Sequence, residues 1–136
     1  MLDEISGLPI PVPTAQSRPF WEAVARGVLV LQRCRNDGRY EWTPQTVCSE
    51  CLEDTLEWTE VSGNGTVYSY SVVSRPQIPA FEVPYTVAIV ELVEGPRMLT
   101  QIVGGTRDQV AIGAPVRFHP EERGGVSFYC FELDLP

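Results

Sequence analysis

The stretch Cys34-Arg35-Asn36-Asp37, followed ten residues later by Cys48-Ser49-Glu50-Cys51, decides how this chain is read. Two short knuckles, each offering metal ligands three positions apart, are how a loop-rich segment folds without a large core of its own. Asp37 stands where a fourth cysteine would complete a zinc ribbon. Zinc accepts carboxylate oxygen as well as thiolate, so two readings stay open. The site is either Cys34, Asp37, Cys48 and Cys51 around a zinc ion, or a ribbon that has lost its metal and kept its shape. Three thiolates donate enough charge to quench the Lewis acidity a catalytic zinc needs, so any metal here is expected to be structural.

The chain of 136 residues with 43% hydrophobic content is long enough to bury a core. No window approaches ~20 uninterrupted apolar residues, and the N-terminus has neither a basic region nor an apolar run of signal-peptide type. The expectation is a cytoplasmic protein with no membrane span, whose four cysteines are metal ligands or free thiols rather than disulfides. Cys130, inside the apolar run from Val126 to Phe131, reads as a core residue. All ten basic residues are arginine, and eighteen acids leave a formal net charge of −8. That balance argues against nucleic acid as a ligand, because phosphate-backbone affinity needs clustered cations. Arg33, Arg35 and Arg39 gather around the ribbon, where pairing with Glu50 and Glu53 competes with contact to an anionic ligand or an acidic partner.

Three segments follow. Residues 1–27 hold a proline-rich arm, Leu8-Pro9-Ile10-Pro11-Val12-Pro13, and a short helix with Ser17 as N-cap, Pro19 in the first turn, Phe20, Trp21 and Val24 on one face and Gly27 as the stop. Residues 28–58 form the ribbon, with a strand over Leu29 to Arg33, a return from Tyr40 to Pro44, and Trp42 and Trp58 sealing a small core. Residues 59–136 read as all-β: a turn at Gly63-Asn64-Gly65, then strands over 66–73, 85–92, 98–103, 116–119 and 126–133. In 85–92, Val87 and Ile89 alternate with Ala88 and Val90, which reads as burial on both faces. Five short strands punctuated by glycine, without helix enough for βαβ units, fit a small closed barrel of OB type. The fold class is therefore mainly β: an N-terminal helix, a zinc-ribbon-like module and a five-stranded OB-fold barrel.

These segments, with the strings Phe20-Trp21-Glu22-Ala23, Gly27 to Cys34, Cys48-Ser49-Glu50-Cys51, Glu57-Trp58, Ser62 to Tyr70 and Ile112-Gly113-Ala114-Pro115-Val116, resemble the acyl-CoA-associated OB-fold family with an N-terminal rubredoxin-like zinc ribbon. The resemblance spans nearly the whole chain and departs from the family at Asp37, where cysteine is usual. It implies a largely non-catalytic subunit that assembles as a heteromer, of heterotetramer type, with a thiolase-superfamily or lipid-transfer-protein-like enzyme acting on acyl-CoA. Among such enzymes a retro-aldolase of steroid side chains is the first expectation. A thiolase, acyltransferase or hydroxymethylglutaryl-CoA synthase complex is the alternative, and no organic cofactor is implied.

The residues point the same way. Thioester chemistry wants an activated nucleophile or a positioned base, and the chain has one histidine, His119, and no lysine. His119, beside Pro120 and with no cysteine or serine close in sequence, reads as structural or surface, so no catalytic residue is assigned. A stand-alone thioesterase would need His119 or a carboxylate; a nucleic-acid-binding OB module would need a basic, aromatic barrel face. For ligand contact the candidate is the connection from Ser74 to Pro84, with Arg75 placed for a CoA phosphate and Phe81 for an acyl or pantetheine chain. The competing reading is a rigid connector in which Ile78 and Phe81 fill the barrel end.

Overall fold

The computed structural model describes residues 9–135. The first eight residues, Leu8 of the arm among them, and Pro136 lie outside the described residues.

A single helix, α1 (Arg18–Ala25), opens the described fold. It starts where Pro19 supplies a fixed φ in the first turn, and it ends at Gly27, whose φ of +78° is one that a side chain would resist. Ser17 stands at the N-cap without capping: its hydroxyl instead accepts the Thr14 backbone N–H at 2.9 Å. An eight-residue helix is too short to persist alone, so packing must hold it. Phe20, Ala23 and Val24 are buried, and Phe20 meets Trp21, Trp42 and Tyr129 with ring centroids 5.0, 4.7 and 5.6 Å away. The aromatic face of α1 thus packs on the chain's own body.

The ribbon is a three-stranded antiparallel sheet in the order β2 (Tyr40–Glu41), β1 (Val30–Cys34), β3 (Leu56–Glu60). β3 pairs along all of β1, from Val30 opposite Glu60 to Cys34 opposite Leu56, so the expected break between 58 and 59 falls inside a strand. Nor do the two tryptophans seal a separate ribbon core. Both pack against one continuous cluster that runs from Phe20, Val24, Leu29 and Leu31 into the barrel at Val67, Val90 and Phe131. Buried Gln32 ties down the return loop: its amide accepts the Gln45 N–H at 2.7 Å and donates to the Gln45 carbonyl at 2.8 Å.

The rest is a closed five-stranded barrel in the order β4 (Asn64–Val73), β5 (Tyr85–Leu92), β6 (Arg97–Val103), β8 (Val126–Leu133), β7 (Pro115–Arg123). A 3₁₀ turn at Arg107–Gln109 lies between β6 and β7. The barrel closes where β4 pairs with β7, Gly65 opposite Val116. Gly65 is in the sheet, not in a turn as its neighbours Gly63 and Asn64 led us to expect. A Cβ there would lie 2.6 Å from the Glu91 carbonyl oxygen, so the strands approach too closely for any other residue. β7 also runs on to Arg123, beyond the expected end at His119, because Gly124 and Gly125 make the hairpin turn into β8. In β5, Thr86, Ala88, Val90 and Leu92 point inward and are buried. Val87 and Ile89 are only half-covered, which corrects the expectation of burial on both faces. The outer side of this strand is flanked by Tyr70 and Leu99, themselves largely exposed.

Candidate functional site

The two knuckles bring Cys34, Asp37, Cys48 and Cys51 together, one ligand atom from each lying within 4.8 Å of all the others. Cys34 ends β1, and its N–H bonds the Arg39 carbonyl at 2.9 Å while its carbonyl accepts the Gly38 N–H at 2.9 Å, closing the first knuckle. The second closes in the same way, with the Cys48 N–H on the Glu53 carbonyl at 3.1 Å and the Leu52 N–H on the Cys48 carbonyl at 2.9 Å. Cys34 and Cys48 are buried, Cys51 is half-buried and Asp37 is exposed.

The donor set fits a zinc ion. A tetrahedron with zinc–sulfur bonds of about 2.3 Å has sulfur–sulfur edges of about 3.8 Å. The Sγ atoms of Cys34 and Cys51 are 3.8 Å apart, and Asp37 Oδ2 is 3.7 Å from Cys48 Sγ. Zinc bound by these four residues would cross-link two loops that have no core of their own.

Thr55 is the residue that sequence reasoning missed. Buried beneath the site, its hydroxyl lies 3.0 Å from Cys34 Sγ and 3.5 Å from Cys51 Sγ. This hydroxyl, followed by the Glu53 backbone, holds the Cys51 thiol below its ordinary range, which favours the thiolate a metal needs. The Arg39 N–H, 2.8 Å from Asp37 Oδ1, likewise holds the Asp37 carboxyl below the usual range. The basic cluster is used within the ribbon. Arg39 pairs with Glu50 at 3.6 Å as expected, whereas Arg35 pairs with Glu57 at 3.6 Å and Glu53 takes the Asn36 amide at 3.1 Å. Arg33 lies over the Tyr40 ring.

Strand register brings a cysteine to His119 that the sequence order concealed. Cys130 lies opposite it on β8, and Glu132 Oε2 is 3.6 Å from His119 Nδ1. The grouping is not a nucleophile and its base. Cys130 Sγ faces the His119 carbonyl oxygen at 3.5 Å rather than the imidazole, and burial pushes its thiol up to about 12. Glu132 is bound to Arg117 at 2.7 Å.

The connection after β4 folds onto the foot of β5. Phe81 packs on Tyr85 with centroids 5.6 Å apart, and the Tyr85 hydroxyl donates to Gln77 Oε1 at 2.8 Å. Ile78 and Phe81 are both half-buried, whereas Arg75 is exposed and makes no ion pair among the described residues. The two candidate ligand contacts thus differ: one is packed into the connector, the other is free.

Two family profiles match, the "ChsH2, rubredoxin-like zinc ribbon domain" over residues 21–57 and the "ChsH2, C-terminal OB-fold domain" over 58–119. The chain belongs to the ChsH2 family of zinc-ribbon and OB-fold proteins. It is 35% identical over 130 residues to the 3-oxo-4,17-pregnadiene-20-carboxyl-CoA hydratase alpha subunit of Mycobacterium tuberculosis, covering 90% of this chain and 42% of that one. It is 36% identical over 112 residues to a DUF35 domain-containing scaffold protein of Methanothermobacter thermautotrophicus, covering 77% of this chain and 84% of that one. Among solved structures, a chain of the Ltp2-ChsH2(DUF35) aldolase superposes with a TM-score of 0.83 at 35% identity, over 92% of this chain and 99% of that one. The chain spans less than half the length of the hydratase alpha subunits it matches. Among the described residues of this ChsH2-family chain, no helix is long and apolar enough to cross a membrane.

Proposed function

We propose that this chain is an accessory subunit that assembles with a thiolase-fold partner and completes an enzyme acting on acyl-CoA thioesters, the reaction being retro-aldol cleavage of a steroid-type side chain. The observation that carries the reading is the likeness to the Ltp2-ChsH2(DUF35) aldolase chain, which extends over 99% of that chain and so includes helix, ribbon and barrel together. The chemistry of the residues supports it. His119 is engaged with Glu132, the Cys130 thiol is buried and held protonated, and the other three cysteines converge on the ribbon site. Carbon–carbon bond chemistry then belongs to the partner.

In this reading Cys34, Asp37, Cys48 and Cys51 hold a structural zinc. Arg75 reaches a CoA phosphate from the partner's active-site mouth, with Phe81 fixing the connector that carries it. Replacing Arg75 by Ala in the assembled enzyme is expected to raise KM for the acyl-CoA roughly fivefold, an exposed ion pair being worth up to about 1 kcal/mol, with kcat unchanged. A second reading, partnership with a hydratase, is favoured by the 35% identity to the mycobacterial hydratase alpha subunit.

The test is recovery of the tagged chain from its native cell extract, followed by assay of the co-purifying proteins with acyl-CoA substrates. Fixed-stoichiometry recovery of a thiolase-fold subunit that cleaves a hydroxyacyl-CoA only when this chain is present supports the proposal. Recovery of a hydratase that adds water to an enoyl-CoA supports the second reading. Thioester cleavage by the isolated chain refutes both.

A further inference from the structure

We propose that Asp37 is the displaceable corner of the ribbon's metal site, the ligand through which a divalent metal is loaded and lost, so that this ribbon exchanges its metal where a four-thiolate ribbon would hold it fast. The proposal rests on the reading of Cys34, Asp37, Cys48 and Cys51 as a metal site.

The four donors are unequally anchored. Cys34 is 1% exposed and Cys48 0%, so neither sulfur has open solvent to turn into. Thr55 adds a buried hydroxyl within 3.0 Å of Cys34 Sγ and 3.5 Å of Cys51 Sγ. These contacts orient the sulfurs, the role outer-shell partners play around metal ligands. Asp37 differs on each count. Its side chain is exposed, Oδ1 is held by one Arg39 N–H at 2.8 Å, and Oδ2 turns toward Cys48 Sγ at 3.7 Å. A rotation about its own χ1 would carry the carboxylate into solvent with the Cys34 knuckle intact. The substitution therefore falls on the solvent-facing corner of the tetrahedron, the side from which water or a competing chelator can approach. A single carboxylate oxygen is also a harder and weaker donor to a borderline ion than the thiolate it replaces. Access, anchoring and donor strength all favour release at this corner.

The experiment loads the purified chain with one equivalent of Zn²⁺ or Co²⁺ and follows transfer to an excess of a chromogenic chelator, in the wild type and in Asp37→Cys, Asp37→Asn and Asp37→Ala. Loss of outer-shell partners alone changes metal affinity by about tenfold or more, so a change at the ligand itself should be at least as large. Asp37→Cys is expected to slow release by about tenfold or more and to intensify the thiolate-to-cobalt charge-transfer bands. Asp37→Ala and Asp37→Asn are expected to accelerate it. Wild type that takes up one metal but releases it at the same rate as all three variants would overturn the inference while leaving the metal site standing. Failure of the folded wild type to take up either metal would remove the metal site and the inference together.

Discussion

Phe20 is the residue on which helix, ribbon and barrel meet, and its removal gives the sharpest test of the architecture. It is 1% exposed, with Trp21 on its own helix at 5.0 Å, Trp42 of the ribbon at 4.7 Å and Tyr129 of β8 at 5.6 Å. Truncating a fully buried phenylalanine costs about 3–5 kcal/mol, combining lost transfer energy with the cavity left behind. The upper half of that range applies here, because each lost aromatic pair adds about 0.5–1.5 kcal/mol and the surrounding large rings cannot all close on one space. Against a total stability of about 5–15 kcal/mol, Phe20→Ala should cost about a quarter or more of the folding free energy. Urea unfolding followed by tryptophan fluorescence reads the change as a lower midpoint. Hydrogen exchange should then localise the excess opening to α1 and the loop around Trp42 rather than to β5 and β6. A loss below about 1.5 kcal/mol, or opening spread evenly through the barrel, would refute the view that Phe20 joins the three parts.

Gly65→Ala drives a Cβ to 2.6 Å from the Glu91 carbonyl and 2.9 Å from Val90 Cγ1 of β5; a loss of about 1–3 kcal/mol is expected by thermal melting, and an unchanged melting temperature would mean that β4 and β5 approach less closely than described. Burial raises both Tyr129 and Cys130 to about 12 from ordinary values of 10.0 and 9.0. The unfolded chain gives up these protons first, so stability is intact below pH 9.0 and falls as pH rises toward 12, by up to about 1.4 kcal/mol per pH unit for each group. Cys130→Ala should flatten the first part of that decline in alkaline urea titrations. Chelation of zinc-loaded protein, or Cys48→Ala, should disorder the ribbon and shift Trp42 and Trp58 emission while leaving the far-ultraviolet signal of the barrel largely in place; retention of native tryptophan emission after complete removal would make the metal dispensable.

What the sequence disclosed follows a physical line between local and non-local causes. The knuckles were legible because ligand-type residues three positions apart are a local signal, and α1 was legible because Pro19 and Gly27 are local signals for a start and a stop. The runs at 66–73, 85–92 and 126–133 were legible because β-branched and aromatic residues crowd there, at period two in 66–73. β3 was not, since Leu56-Glu57-Trp58-Thr59-Glu60 becomes a strand only through its pairing with β1. Gly65 carried the mark of a turn, and only the approach of β5 explains it as sheet. The same holds within the sites. The sequence placed three cysteines and an aspartate in register for a metal, but Thr55 acquires its role solely by lying under two sulfurs. His119 and Cys130, eleven residues apart along the chain, meet through the β7–β8 pairing. That pairing also explains why proximity produces no reactive dyad. Residues directly opposite in an antiparallel ladder share a face, yet here the thiol turns into the buried side and bonds backbone, while the imidazole turns out toward Glu132. Burial on one side and a carboxylate contact on the other separate two groups that a list of reactive residues would have joined.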